Sequence, residues 1–309
     1  TTDANVWYNV GGGSGDVQPW TYQGSSYGYT YGATVPVQTD VQEYSFITDV
    51  DSDDIGDMLT HRATGTASSS TTHGYTSGGN SGPRTATIEK FPFAAAWGFT
   101  MTSVGNLTVA RDNLSGQSTE AYGWVSGGNN GSVTNIVDRY THVNDNTQED
   151  WADLHTATSG GSSGHSSATH GYHCGGSPTS NQMQRYSFSS QATGEDCGDL
   201  VRAGWQQGGL SAESHGYVCG GQPGAYKDIV KFAFTSATVN SNIGNLFQET
   251  FQPSASSSTT HGYIAGGDTY GGGTSIDTIQ KVSFSTDGHG ENVANLIRAG
   301  NYMGLGSQI

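Results

Sequence analysis

Apolar positions along this chain come in short runs with a period of two, closed off by glycine, serine, asparagine or aspartate. His73-Gly-Tyr-Thr-Ser runs into Gly78-Gly79, and Ile88-Glu-Lys-Phe-Pro-Phe93 alternates between two sets of positions along its length. That alternation predicts half-buried β-strands. Helix-forming stretches are nearly absent, because Ala, Leu, Glu and Lys are sparse while Gly, Ser and Thr are dense. The longest apolar run, Phe93 to Phe99, has seven residues, far short of the roughly 18 that a membrane-spanning helix needs.

The strand motifs repeat. An aromatic or histidine, then Gly, an aromatic, two further residues and a double glycine begins at Tyr27, His73, Tyr122, His170, His215 and His261, at spacings of 46, 49, 48, 45 and 46 residues. The copy at Tyr27 ends in Gly32-Ala33. A second motif follows each first one, as Val41 to Phe46, Ile88 to Phe93, Val137 to His142, Met183 to Phe188, Ile229 to Phe234 and Ile279 to Phe284. A third follows in turn, as Ile55 to Met58, Val104 to Leu107, Trp151 to Leu154, Cys197 to Leu200, Ile243 to Leu246 and Val293 to Leu296. A fourth, short strand is expected in the Ser-rich stretch before each first motif, as in Gly116 to Thr119 or Ser254 to Ser258. Four short strands every 45 to 49 residues predict an all-β fold, a β-propeller of four-stranded blades.

The blade count rests on the chain ends. Val6 to Gly12 matches the first motif and Val17 to Tyr22 the second, and no third motif follows before Ser25. This predicts one domain over 1–309 with a partial repeat at 1–24 and full ones near 25–67, 68–117, 118–166, 167–210, 211–255 and 256–309. The expectation is seven blades, the abbreviated one completed by Gly304 to Ile309; the alternative is six blades.

Composition sharpens the picture in a few places. Gly is 47 of 309 residues, a content that suits disorder, but the aromatics reach 10% and the glycines are periodic. With 27 acidic and 11 basic residues the net charge is −16. This argues against a nucleic-acid partner, since phosphate binding requires clustered Lys and Arg. Three cysteines cannot all pair within one chain, so no disulfide scaffold is expected.

The short strand closed by Gly-Gly, the aromatic strand about ten residues on and the last strand resemble kelch-type and galactose-oxidase-like blades. Thr72-His73-Gly74-Tyr75 with Gly78-Gly79 and Ile88-Glu89-Lys90-Phe91 more closely resembles the Gly-rich propeller repeats of marine bacteriophage tail-fibre and virion appendage proteins. The third motif departs from the kelch pattern, carrying Trp only at Trp151. The resemblance implies a non-enzymatic structural or adhesive propeller, on the virion or extracellular. Its partners would be other virion proteins or a host-surface glycan, without membrane insertion and as a homo-oligomer. Two rivals stand beside it: a propeller enzyme acting on glycans as hydrolase, lyase or copper oxidase, and an intracellular kelch-like protein-interaction scaffold.

Candidate chemistry is sparse. His73, His170, His215 and His261 share one repeat position, where imidazoles could hold a metal or anion. Tyr27 and Tyr122 fill that position in the other repeats, and tyrosine is a poor ligand for Zn or Ni, so a packing or turn role is expected and no metal or cofactor. Cys174, Cys197 and Cys219 replace small or apolar residues and are expected to be buried thiols. Asp49-Val-Asp51-Ser-Asp53-Asp54 resembles the start of a Ca²⁺ loop, without the glycine and the closing glutamate of an EF-hand, and predicts a solvated turn. Lys90, Arg139, Arg185, Lys231 and Lys281 share one strand position and are expected to pair with acidic loops of the same or the next blade. No catalytic constellation is found. Ligand contacts, if to sugar rings, are expected at the loop aromatics Trp97 and Tyr270.

Overall fold

A computed structural model describes residues 24–34, 37–145, 148–161, 163–224, 226–269, 274–301 and 306–308. The motifs between Val6 and Tyr22 lie outside the described residues. Among the described residues the chain forms six blade sheets of short, mainly antiparallel strands, one for each full repeat, with a small two-stranded ribbon of Asp268–Thr269 and Thr274–Ser275, and no helix. In the second blade Thr66–Ser69 is innermost, followed outward by His73–Ser77, Thr87–Pro92 and Thr102–Asn106. The short Ser-rich strand is therefore real: it recurs as Ser115–Ser118, Ser163–Ser166, Gly208–Ser211 and Ser254–Ser257, innermost each time.

The blade count corrects the expectation of seven to six. Gly306–Gln308 does supply a missing inner strand, but to the first full repeat. Its register sets Gly28 against Gln308 and Thr30 against Gly306, filling the inner edge of Tyr27–Thr34. The six inner strands then neighbour one another in a closed circle, with Gly306–Gln308 between Ser254–Ser257 and Thr66–Ser69. Among the described residues this circle of inner strands leaves no gap for a further blade.

Aromatic stacking fixes the order of the blades. The aromatic two residues into each second strand lies over the last residue of the next blade's second motif. Tyr29 stacks on Phe93 at 5.0 Å, Tyr75 on His142 at 4.6 Å and Trp124 on Phe188 at 4.1 Å. Tyr172 stacks on Phe234 at 4.9 Å, Tyr217 on Phe284 at 4.8 Å and Tyr263 on Phe46 at 4.6 Å. The last pair joins the sixth blade directly to the first.

Nearer the axis, the seams are matched in size and polarity. Tyr140 shares a hydrogen bond with Ser68 of the preceding inner strand at 2.6 Å, as does Tyr44 with Ser256 at 2.8 Å, and the Tyr186 hydroxyl donates to Gln117 at 2.7 Å. Where the ring lacks a hydroxyl, as at Phe232, the neighbour is His165, edge-on at 5.1 Å. Where the ring is replaced by Val282, the neighbour is Leu210 in the same apolar cluster.

The double glycine serves the same seams. Gly79 has φ +104, a conformation that side chains rarely adopt, and its N–H donates to the Arg111 carbonyl at 2.8 Å in the linker to the third blade. Gly128, Gly176, Gly221 and Gly267 repeat the bond, to Thr158, Gly204, Thr250 and Gly300. In several seams a polar side chain of the incoming blade also latches the linker backbone: Glu89 accepts from Leu59 N at 3.1 Å, Asp138 from Thr108 N at 3.1 Å and Gln184 from Thr156 N at 2.7 Å.

Two of these latches are buried ion pairs that the sequence analysis passed over. Arg62 meets Glu89, and Arg111 meets Asp138 at 2.7 Å, with every partner at most 1% exposed. Each arginine also donates to backbone carbonyls, Arg111 to Gly127 at 2.7 Å and Ile136 at 3.0 Å. The signal was present within the repeats: Glu89 and Asp138 are the two acids at their strand position, and each of those blades is preceded by an arginine. Removing one partner of a buried pair strands the other charge. Arg111→Thr is therefore expected to lose ~3–5 kcal/mol of stability in urea unfolding. The double variant Arg111→Thr with Asp138→Gln copies the residues at the same positions of the next seam, Thr158 and Gln184, and should recover most of it. Equal losses in single and double variants would refute the latch.

Candidate functional site

Antiparallel pairing sends the turns before the second strands and the loops before the outer strands to one face of the disc. The double-glycine turns and the linkers between blades lie on the other. The glycine face is tightly bonded, so the first face carries the accessible chemistry.

The histidines stand on that face. In Ser70-Thr-Thr-His73 the Ser70 hydroxyl accepts from His73 N at 3.0 Å and from Thr72 N at 3.2 Å, which closes the turn. Ser167 and Ser258 do the same for His170 and His261. Each Nδ1 then lies 2.8 Å from a hydroxyl, of Thr72, Thr169, Ser214 and Thr260 for His73, His170, His215 and His261. All four rings are partly buried, and burial followed by the neighbouring Lys90, Arg185, Lys231 or Lys281 pulls their pKa values down. They sit on four separate blades, and among the described residues no group of three or more His, Cys, Asp or Glu is arranged to hold a metal ion.

The five strand cations find acidic partners. Lys90, Lys231 and Lys281 reach the next blade, at Asp145, Asp287 and Asp49, the last two at 2.8 Å and 3.0 Å. Arg139 and Arg185 pair within their own blades, with Glu149 at 2.8 Å from Nε and Glu195 at 2.5 Å. Arg139 also lies over the rings of Tyr122 and Trp151, at 4.4 Å and 3.5 Å. The Asp49 loop is structural too: Asp51 accepts from Asn295 N at 2.8 Å.

Between the second and third blades this face opens into a recess of about 450 Å³ lined by Ser70, Thr72, His73, Lys90, Glu120 and Val143. A second, of about 460 Å³, is lined by His261, Lys281, Ser283, His289 and Glu291. Neither recess was read from the sequence, because their walls come from segments about 30 to 70 residues apart.

Trp97 lies on the same face, 70% exposed. It tips the loop before the outer strand of the second blade, and that loop straps the outer edge of the first. Phe99–Thr100 pairs in parallel with Asp53–Asp57, Gly98 N donates to Ile55 O at 2.8 Å, and the Phe99 ring stacks on Phe91 at 5.2 Å. Anchored on both sides, the indole is presented to solvent. Tyr270 lies outside the described residues.

The axis is nearly filled. A Cβ on Gly116 would stand 2.1 Å from the Ala67 carbonyl, and one on Gly164 would stand 2.3 Å from that of Gly116. Ser69 N donates to Ser118 Oγ at 3.2 Å, Ser118 N to Ser166 Oγ at 2.9 Å, Ser166 N to Ser211 Oγ at 3.1 Å and Ser211 N to Ser257 Oγ at 3.0 Å. Among the described residues this belt borders spaces of about 60 and 70 Å³.

Cys174 and Cys219 are buried and Cys197 half-buried. Burial raises all three thiols, Cys197 to about 11, so none is poised as a thiolate.

No protein-family model matches the chain, and no curated protein matches it. A solved structure described as that of YjhT matches with a TM-score of 0.66 at 12% identity, covering 79% of this chain and 87% of that one. At that identity the likeness speaks to the fold alone, a β-propeller.

Three further histidines are buried between blades. Burial drives His142 and His165 down to about 4 and His173 to about 3. His165 Nδ1 donates to the Leu210 carbonyl at 2.9 Å, which leaves Nε2 to accept from Ser163 Oγ at 3.0 Å. A depressed histidine contributes its full stability above the unfolded value of about 6.5 and loses it as the pH falls toward the folded value. Tm is therefore expected to drop between about pH 6.5 and pH 4. His165→Gln, which copies Gln117 at the same inner-strand position, should flatten that drop in calorimetry. Parallel Tm profiles for variant and wild type would contradict the assignment.

Proposed function

We propose that this propeller is a non-enzymatic binding and structural module. It belongs to a bacteriophage virion appendage or tail-fibre assembly, on the virion or outside the cell, and attaches to a host-surface glycan or another virion protein. The observation that carries the reading is the filled axis. Its spaces of about 60 and 70 Å³ admit water, whereas small-molecule sites occupy ~300–1,000 Å³. Recognition therefore belongs to the loops, which the packed rings and latched linkers hold rigid. Trp97 supports it further: a strapped, solvent-facing indole offers a flat apolar surface to the C–H face of a sugar at little ordering cost.

A glycan array tests this. Wild-type protein is expected to bind at least one host-type glycan, and Trp97→Ala to weaken that signal about tenfold, the loss of ~1–1.5 kcal/mol of stacking. Because the indole is 70% exposed, the variant should melt with the wild type. A wild type silent across the array removes the glycan arm, and an undiminished Trp97→Ala signal removes Trp97 from it.

A further inference from the structure

We propose that the recess over His73 and Lys90, and its sibling over His261 and Lys281, are subsites for neutral pyranose residues of a glycan. The inference rests on the binding-module reading and gives it specific sites. Both recesses have the volume of a small-molecule site, about 450 and 460 Å³. Both pair a histidine at the start of the second strand with a lysine on the third strand. The first recess is amphipathic: Glu120 accepts, Lys90 donates, Ser70 and Thr72 carry hydroxyls, and Ala121 and Val143 form an apolar side. A pyranose has the matching form, with hydroxyls at its rim and C–H groups on its face. The second recess has Ser283 and Thr286 as hydroxyls and Glu291 as acceptor. His289 Nδ1 accepts from Asn245 N at 3.2 Å, so its Nε2 carries the proton.

Charge selects a neutral ligand. Lys90 is already bound to Asp145 and Lys281 to Asp49, so neither recess offers an uncompensated cation to a carboxylate or sulfate. The chain as a whole, at −16, repels anionic polymers. The corresponding position differs in other blades. In the third blade Arg139 lies over Tyr122 and Trp151. In the first blade Glu43 replaces the lysine and Tyr27 the histidine. Two like subsites on one rigid disc would engage a repeating glycan bivalently, which raises avidity without tight single sites.

The test is NMR titration of the full chain with methyl glucopyranoside, methyl galactopyranoside, methyl mannopyranoside and glucuronate. At least one neutral methyl hexoside is expected to shift the His73 and His261 imidazole signals saturably. His73→Phe should weaken binding at the first recess at least tenfold and leave the His261 shifts intact. Tyrosine stands at this position in two repeats, so an aromatic is compatible with the fold, and an unchanged Tm checks it. Shifts that spare both histidines, no saturable shift with any neutral hexoside, or tighter saturation by glucuronate would overturn the proposal. A positive glycan array with silent recesses would refute these subsites and leave the binding-module reading standing.

Discussion

Six stacked ring pairs, each bridging one blade to the next at 4.1–5.0 Å, set the geometry on which this molecule depends. Every blade gives one aromatic forward and receives one from behind. Each such pair contributes ~0.5–1.5 kcal/mol beyond its buried area, a modest sum against the entropy of ordering a chain of this length. Its larger effect is angular. The offset between successive rings fixes how far each sheet turns about the axis, and the Tyr263–Phe46 pair closes the circle at six. The C-terminal strand, the Gly-Gly turns and the side-chain latches all work within that fixed rotation.

The same packing decides where chemistry can occur. Bringing six inner strands together around small residues such as Ala67, Gly116 and Gly164 crowds the axis, and the ligand-sized recesses lie on the loop face. There, most cations of this acidic chain serve the fold. Arg62 and Arg111 lock linkers from within, while Lys90, Lys231 and Lys281 each tie one blade to the next. What remains accessible among the described residues is a polar face with imidazoles, neutralised lysines and the presented indole of Trp97.

Much of this architecture was legible in the sequence because repetition exposes it. The double glycine, the aromatic strand and the Ser-rich strand each return at a fixed place, and each forms the element its pattern implies. The number of blades was not legible in the same way. Gly304 to Ile309 matches an inner strand by composition, but composition carries no address, and only the register of Gly28 with Gln308 assigns it to the first blade. Cross-seam partners escaped for a related reason. Ser68 and Tyr140 are 72 residues apart, and their match appears only once neighbouring blades are aligned as pairs. The recess around His73 combines both difficulties, since its walls belong to two blades. The strand cations were foreseen as ion pairs because five repeats place them identically.

The matched seams have a consequence for how such a ring can change. Tyr140 is suited to Ser68, Tyr186 to Gln117, Phe232 to His165 and Val282 to Leu210. A blade moved to another slot would meet a stranger: Tyr140 placed after Leu210 would bury its hydroxyl against a methyl group. Though the repeats share one pattern, the units are not interchangeable. Each petal is keyed to its neighbours, so exchange or duplication of whole blades requires compensating changes on both flanks.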